Sequence, residues 1–336
     1  MATTLSLLIP GLLGTWPDEF AVPRPTAPAL EWLLTRADRH KTQSVMDALL
    51  FELFGAPIPA EADLPIAAVT QLADGYNPGN DWWLRADPVH LRPDLRGVFL
   101  ADARTLAIEP VEAAALAAAF DQTFASDGLQ LRVPCPERWY LRLPADPGIR
   151  TYALSSAIGR DINPLLPHGP NARRWHALLT EVQMLFHNHP VNQAREQRNQ
   201  PMINSVWFWG SGPLPSGARS PTIGLYAHDP LLRGLAWLAE AAISPVPQNA
   251  YDWREGAADE ADSLVKLDLA RYDRTDGDPL AWADHVAMLE RNWFEPCQRL
   301  LQTGQLKTLY LYGDDGYCYS LTGAARWRFW RHRRTL

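Results

Sequence analysis

The sequence lacks most of the features that would settle its class at once. It has three cysteines in 336 residues, Cys135, Cys297 and Cys318. They are widely separated and form no CxxC pair or HxxxH spacing, which excludes a disulfide scaffold and the usual zinc patterns. The thiols are expected to be reduced and the protein cytoplasmic. No apolar run approaches the length of a membrane span. The nearest, Leu5 to Ile9, has no basic residues before it and breaks at Pro10-Gly11, so it reads as a buried strand rather than a signal peptide. Positive charge is in deficit: 31 Lys and Arg face 38 Asp and Glu, a formal charge of −7, and a nucleic-acid binder needs the opposite balance. There is no GxSxG elbow, no P-loop and no GxGxxG after a strand, so nucleotide chemistry has no support.

What the chain does have is core. Hydrophobic residues make up 47% of it, with 14 Trp, and 29 Pro punctuate it into short, stiff connections. Four runs read as strands buried on both faces: LSLLI (5–9), NSVWFW (204–209), LVKLDLA (264–270) and TLYLY (308–312). Amphipathic helices lie between them. One runs from Asn171 as N-cap to His187, with Trp175, Leu178, Leu179, Val182, Leu185 and Phe186 at helical spacing and Pro190 just beyond. Another starts at Asp278-Pro279, buries Trp282, Val286, Leu289 and Trp293, kinks at Pro296 and closes at Gly304. Strands alternating with helices imply an α/β fold with a mostly parallel sheet covered by helices. From Gly97 the order changes to strand, helix (Glu109 to Ala125), strand, strand, which suits a small inserted α+β domain. The expected division is a core of residues 1–85 and 200–336, with 86–199 as the insertion and its connecting helices.

In an open parallel sheet, ligands bind beyond the carboxyl ends of the strands. The loops in that position are Pro10 to Thr15, Gly210-Ser211-Gly212, Arg271-Tyr272-Asp273 with Asp276 to Asp278, and Gly313-Asp314-Asp315-Gly316. These nominate Gly210, Ser211, Gly212, Arg271, Asp273, Asp314 and Asp315 as ligand-binding candidates. The competing reading is that Gly and Asp merely turn the chain there.

The run HPVNQAREQRNQPMINSVWFWGSG (189–212) resembles a stretch of archaeal-type cofactor-independent phosphoglycerate mutases, of the alkaline phosphatase superfamily. WWLRADPVHLRPD (82–94) and INPLLPHGPNARRWHALLTEVQMLFHNHPVN (162–192) are more similar to a bacterial group of regulatory proteins, the pathogenicity-factor E type, related to those mutases. The resemblance implies an alkaline-phosphatase-like core. It also implies two divalent metals, held by Asp and His, which activate a serine that carries the phosphoryl group and clamp the attacking and leaving oxygens. Aligned on the resemblance, Pro10 stands at one ligand Asp, Arg271 at another, and Thr275 at a His. Asp314 and Asp315 stand at an Asp-His pair. Ser44, in KTQSVMDALLFELFG (41–55), is the nearest candidate nucleophile. In DARTLA (102–107), Arg104 matches one of two substrate-gripping arginines. Pro10, Arg271 and Thr275 cannot bind a hard or borderline cation, and the Arg271 guanidinium could take a cation's place beside Asp273 or Asp314.

Two readings follow from the resemblance. In one, the chain is a metal-free, non-catalytic regulatory relative with no cofactor, binding a protein partner or a small phosphorylated metabolite. In the other, it is a working mutase or phosphotransferase with rearranged Mn or Zn ligands, for which a cluster of His228, Asp229 and the loop aspartates would be the sign. The histidines His168, His176, His187 and His189 read as capping and hydrogen-bonding groups rather than a metal cluster, since i, i+2 residues at a helix end do not share a face. The tail RWRFWRHRR (326–334) reads as a final edge strand with its aromatics on the core, or else as a docking site for an acidic partner, a nucleic acid or an anionic membrane surface.

Overall fold

The computed structural model describes residues 3–13, 25–56, 63–257, 261–268, 279–332 and 334. In chain order it begins with β1 (Thr3–Leu8), α1 (Pro28–Arg36), β2 (Asp38–Lys41) and α2 (Met46–Leu53). There follow α3 (Ile66–Ala73), β3 (Trp82–Asp94), β4 (Gly97–Asp102), α4 (Ala103–Leu106), α5 (Pro110–Phe124), β5 (Gln130–Cys135) and β6 (Arg138–Leu143). Next come α6 (Leu154–Ala157), α7 (Ala172–His187), α8 (Pro190–Gln197), β7 (Ser205–Gly212), β8 (Gly224–Tyr226), α9 (Pro230–Leu238) and α10 (Ala250–Gly256). The chain closes with β9 (Ser263–Lys266), α11 (Pro279–Leu289), α12 (Glu295–Thr303), β10 (Leu306–Tyr312) and β11 (Tyr317–Thr322).

Two compact units divide the chain: residues 1–57 with 217–336, and residues 58–216. The first holds a six-stranded sheet in the order β2-β11-β10-β1-β9-β8. β1 lies parallel to both β10 and β9, and β8 is parallel to β9. β11 and β2 extend the sheet antiparallel. β1 is central, and its Leu5, Leu7 and Leu8 are fully buried. The core around it takes Leu30, Leu33, Trp282, Val286, Trp293, Leu300, Leu309 and Leu311. The long helix expected from Pro279 to Gly304 is there, with a wide π-turn, Glu290–Phe294, between α11 and α12, and Gly304 ends α12 in the left-handed region. The Glu290 carboxylate accepts the N–H groups of Ala29 and Leu30, so it caps α1, whose own N-cap, Ala27, has no side-chain acceptor.

The second unit is built on β3, a thirteen-residue strand in an antiparallel sheet. β6 and β4 pair with successive stretches of β3, and β7 also pairs with it. β5 extends the sheet beyond β6. α5 and α7 cover one face, where Phe120, Phe124, Trp139, Trp175, Phe186 and Phe208 form the core. The expected order from Gly97, strand, helix, strand, strand, is present as β4, α5, β5 and β6. α5 opens on a reciprocal capping box between Glu109 and Glu112.

Two expectations need correction. NSVWFW is not a strand of the parallel sheet: it is β7, antiparallel to β3, with Phe208 opposite Ala86 and Trp207 opposite Asp87. A run buried on both faces reads alike in either kind of sheet, and β3 decides the pairing. Residues 58–85 and 200–216 accordingly belong to the second unit, so the divisions fall near 57 and 216 rather than near 85 and 200. The tail is not an edge strand either. After β11 the chain makes a short 3₁₀ turn, Gly323–Trp327, and the aromatics expected on the core face solvent: Trp327, Phe329 and Trp330 are 62%, 76% and 68% exposed.

Candidate functional site

The carboxyl ends of β1, β9 and β10 meet at one edge of the first unit's sheet. Beyond β1 and β10 the two loops are stitched together. Ile9 N–H donates to Tyr312 O (3.0 Å) and Leu13 N–H to Gly313 O (2.9 Å). Gly313 is needed for that approach, because a Cβ there would sit 2.6–2.9 Å from the Leu13 side chain. Gly11, at φ 76°, donates its N–H to Asp314 Oδ2 (2.8 Å), and the Trp282 indole reaches Gly11 O (3.3 Å). One oxygen of Asp314 is therefore used by backbone, from a residue itself in the left-handed region at φ 64°. Asp315 accepts from Tyr317 N–H (3.2 Å) and from the Tyr319 hydroxyl (2.6 Å). Burial, together with this carboxylate, raises the Tyr319 pKa to about 12. Both aspartates named from the sequence thus hold a loop. Ser44 lies two residues before α2 and is exposed. A Cβ on Gly316 would sit 3.5 Å from its own, so it borders the turn that carries Asp315.

The end of β9 carries the denser charge. Lys266, the last residue of that strand, is 4% exposed, with Nζ 2.6 Å from Asp229 Oδ2 and 3.8 Å from Asp268 Oδ1. Asp229 is the N-cap of α9, its Oδ1 accepting from Leu232 N–H at 2.8 Å, so the residue that caps the helix also binds the ammonium. Burial alone would depress the Lys266 pKa, but Asp229, Asp268 and, from α2, Asp47 outweigh it and hold the group above its ordinary value. Burial pushes Asp268 up, with Asp229 adding to the rise while Lys266 and His228 oppose it. The structure thus places His228 and Asp229 beside a further aspartate, Asp268, with an ammonium among them.

Those residues do not fit the divalent pair that the resemblance implies. Among the described residues, no three His, Cys, Asp or Glu side chains are grouped to hold a metal ion. The carboxylates that do converge already surround a cation that is covalently part of the chain. Arg271, Asp273, Thr275 and Asp276 to Asp278 lie outside the described residues. Lys266 and Asp268 were missed in the sequence, although a lysine inside the apolar run LVKLDLA was a signal: a charge in a buried strand requires a partner.

In the second unit, Gly210, Ser211 and Gly212 are the last residues of β7 rather than a loop beyond it. A Cβ on Gly210 would meet Ile66 at 2.8 Å, and one on Gly212 would meet Pro65 at 2.7 Å, so these glycines admit the N-terminus of α3. Gly210 N–H donates to the Thr151 hydroxyl (3.2 Å), which is itself bound to Asp63. Arg104 pairs with Asp102. The run of closest resemblance is occupied with scaffold bonds. His189 caps α8, its Nδ1 accepting from Val191 N–H. Asn192 donates to Phe186 O and Ile203 O (2.7 and 2.8 Å) and accepts from Ile203 N–H. The fully buried Arg195 binds Glu112, Leu106 O and Pro201 O. Asn204 pairs with both backbone groups of Leu91. His176 bonds Pro167 O (2.7 Å). This unit also has an open cavity of about 600 Å³ between α7 and the sheet, walled by Leu91, Val98, Leu179, Val206 and Trp207, with no Lys, Arg, Asp or Glu in its lining.

No protein-family model matches the chain. The observed mixed α/β fold is shared with the PH0037 protein of Pyrococcus horikoshii: TM-score 0.59 at 13% identity, over 96% of this chain and 87% of that one. The cofactor-independent phosphoglycerate mutase of Thermoplasma acidophilum aligns at TM-score 0.48 and 17% identity, over 96% and 90% of the two chains. In sequence, the chain is 30% identical over 95 residues to the 2,3-bisphosphoglycerate-independent phosphoglycerate mutase of Methanothrix thermoacetophila, covering 27% of this chain and 24% of that protein. It is 35% identical over 57 residues to a probable enzyme of the same name from Geobacter sulfurreducens, covering 17% and 14%. The matched segments span about a quarter or less of those relatives. No helix among the described residues is long and apolar enough to cross a membrane.

Proposed function

We propose that this chain is a metal-free relative of the cofactor-independent phosphoglycerate mutases that works by binding rather than by phosphoryl transfer, as a regulatory protein. The observation that carries this reading is the buried Lys266 ammonium among Asp229, Asp268 and Asp47. Phosphoryl transfer by paired metals needs two divalent charges with open coordination positions to hold the attacking and leaving oxygens. An ammonium brings one charge and three donors, offers no coordination position, and neutralises the carboxylates that would otherwise attract a metal. Asp314 and Asp315 support the same reading, since each is bonded to backbone or a tyrosine that a metal would displace. The partner would be a protein or a small phosphorylated metabolite. The cavity of the second unit is lined by His176, His187 and the amides of Asn163, Gln183, Asn188 and Asn204, with no Lys or Arg to grip a phosphate.

The test is divalent metal per chain, by elemental analysis after equilibration with Mn²⁺ and Zn²⁺ and dialysis, alongside interconversion of 2- and 3-phosphoglycerate with both ions present. Retained metal below one ion per several chains, with no turnover, is expected. One or two ions per chain with turnover would mean that the residues outside the described set assemble a site, and the chain would be a mutase with rearranged ligands.

A further inference from the structure

The residues after β11 present an aromatic and basic surface. They fold back on the segment that joins α1 to β2. Arg328 and Arg331 both bind the Asp38 carboxylate at 2.7 Å, and both donate to Arg36 O. Arg331 also reaches Ala37 O, and Arg334 N–H donates to the Thr35 hydroxyl. Anchored in this way, the turn presents Trp327, Phe329 and Trp330 to solvent within four residues. Phe329 and Trp330 pack edge to face, with centroids 5.5 Å apart. Solvent-exposed large aromatics are ordinary one at a time, but three together are not.

The charge in the two segments that form this surface is predominantly positive. In residues 35–41 and the described residues of 325–334 there are seven Arg and Lys against one carboxylate, Asp38, in a chain whose formal charge is −7. Asp38 is held below the usual carboxylate range, first by its bond to Arg331, against some burial, and further by Arg328, so it stays ionised and the two arginines stay fixed. Arg39, Lys41 and Arg326 are exposed beside it. A cationic patch on an anionic molecule orients its approach to a negative surface.

We propose that this turn is a docking site for an anionic phospholipid bilayer: the three aromatics enter the headgroup region and the flanking cations bind lipid phosphate and carboxylate. Charge complementarity selects an anionic partner, and the aromatics select its type. Trp beside Arg is the side-chain pair of the membrane interface, apolar in the ring and polar at the edge. Single-stranded nucleic acid would need ring faces on which successive bases stack. Here two of the three rings are turned edge to face, forming a compact apolar knob.

The experiment is co-sedimentation of the full chain with vesicles of phosphatidylcholine alone and of phosphatidylcholine containing phosphatidylserine, at low and at physiological salt. Binding to the anionic vesicles only, weakening as salt rises, is expected. The triple variant Trp327→Ala, Phe329→Ala, Trp330→Ala should lose it. Arg326→Glu and Lys41→Glu should each lower partitioning about fivefold or more. An unchanged urea midpoint for each variant separates loss of docking from loss of folding. Equal binding to neutral vesicles, no binding to either, or binding untouched by the variants would overturn the proposal. So would a single-stranded oligonucleotide bound by the wild type and released by the triple variant, which would make the turn a nucleic-acid surface.

Discussion

Replacing Lys266 by Met keeps the length and most of the volume of the side chain and removes its charge. In the folded wild type, Nζ lies 2.6 Å from Asp229 and 3.8 Å from Asp268, almost without solvent. Removing the ammonium leaves Asp229 and Asp268, whose side chains are 17% and 35% exposed, without their cation; water reaches both, so the cost is about 2–3 kcal/mol, less than for a fully buried pair. Asp229→Asn in the same background keeps the cap on α9, because an amide oxygen accepts from Leu232 N–H as well as a carboxylate does. That double variant should therefore regain about 1–3 kcal/mol relative to Lys266→Met. The dependence on pH has a definite sign. Wild-type Lys266 has a folded-state pKa above its unfolded value, so its stabilisation is complete below the ordinary lysine range and fades only as pH rises through the raised value. In Lys266→Met, Asp268, which burial already raises, loses the ammonium that opposes that rise, so its folded pKa stands above its unfolded one. The deficit is then greatest at neutral pH and shrinks as pH falls toward the ordinary carboxylate range. The assay is urea unfolding from acid to neutral pH, followed by circular dichroism. A loss below about 1 kcal/mol at neutral pH, or one that grows on acidification, would refute the account of this site.

The remaining predictions concern the second unit and the ligand chemistry. Trp207→Ala removes a side chain that is 2% exposed and donates its indole N–H to Tyr152 O, and should cost about 3–5 kcal/mol in chemical denaturation. Arg195→Met leaves two buried backbone carbonyls without their donor and takes one of the two arginines from Glu112, Arg198 remaining, and should cost about 3–5 kcal/mol, read by proteolysis of the native protein. Metal retention and phosphoglycerate turnover should both be absent in the wild type, by elemental analysis and a coupled assay.

Much of the fold was legible where a pattern has one interpretation. The spacing of Trp175, Leu179, Val182 and Phe186 allows only a helix, and all four are buried on α7. Pro279 and Gly304 bracket a helical segment, and its π-turn escaped notice because a five-residue widening leaves the apolar spacing nearly intact. NSVWFW was misplaced for the opposite reason: its continuous apolar character is compatible with either sheet. In the motif from His189 to Asn204, four polar residues, His189, Asn192, Arg195 and Asn204, are each tied to backbone groups. A sequence signal this sharp can report scaffold as readily as chemistry. The site was half legible. Asp314 and Asp315 lie where strand topology placed them, whereas the Lys266 cluster joins β9, α9 and α2, which no local pattern connects. The tail misled because alternation of Arg and aromatics suggests a strand, and what prevented one was a long-range bond to Asp38.

The placement of β1 sets a timetable for biosynthesis. Its two neighbours in the sheet are β9 and β10, so β1 has no partner until residues 263–266 and 306–312 have been synthesised. At roughly 5–20 residues per second, that leaves the apolar run LSLLI waiting on the order of 10–60 s. The cap on α1 is equally late, because Glu290 must arrive before the first helix has acceptors for Ala29 and Leu30. Residues 58–216 need no later segment to complete their sheet, so this unit emerges with all its strands in hand while the first is still open. During that interval the nascent chain is a finished antiparallel unit trailing a sticky, unpaired leader. A chaperone that recognises short apolar segments would find one waiting at Leu5 to Ile9.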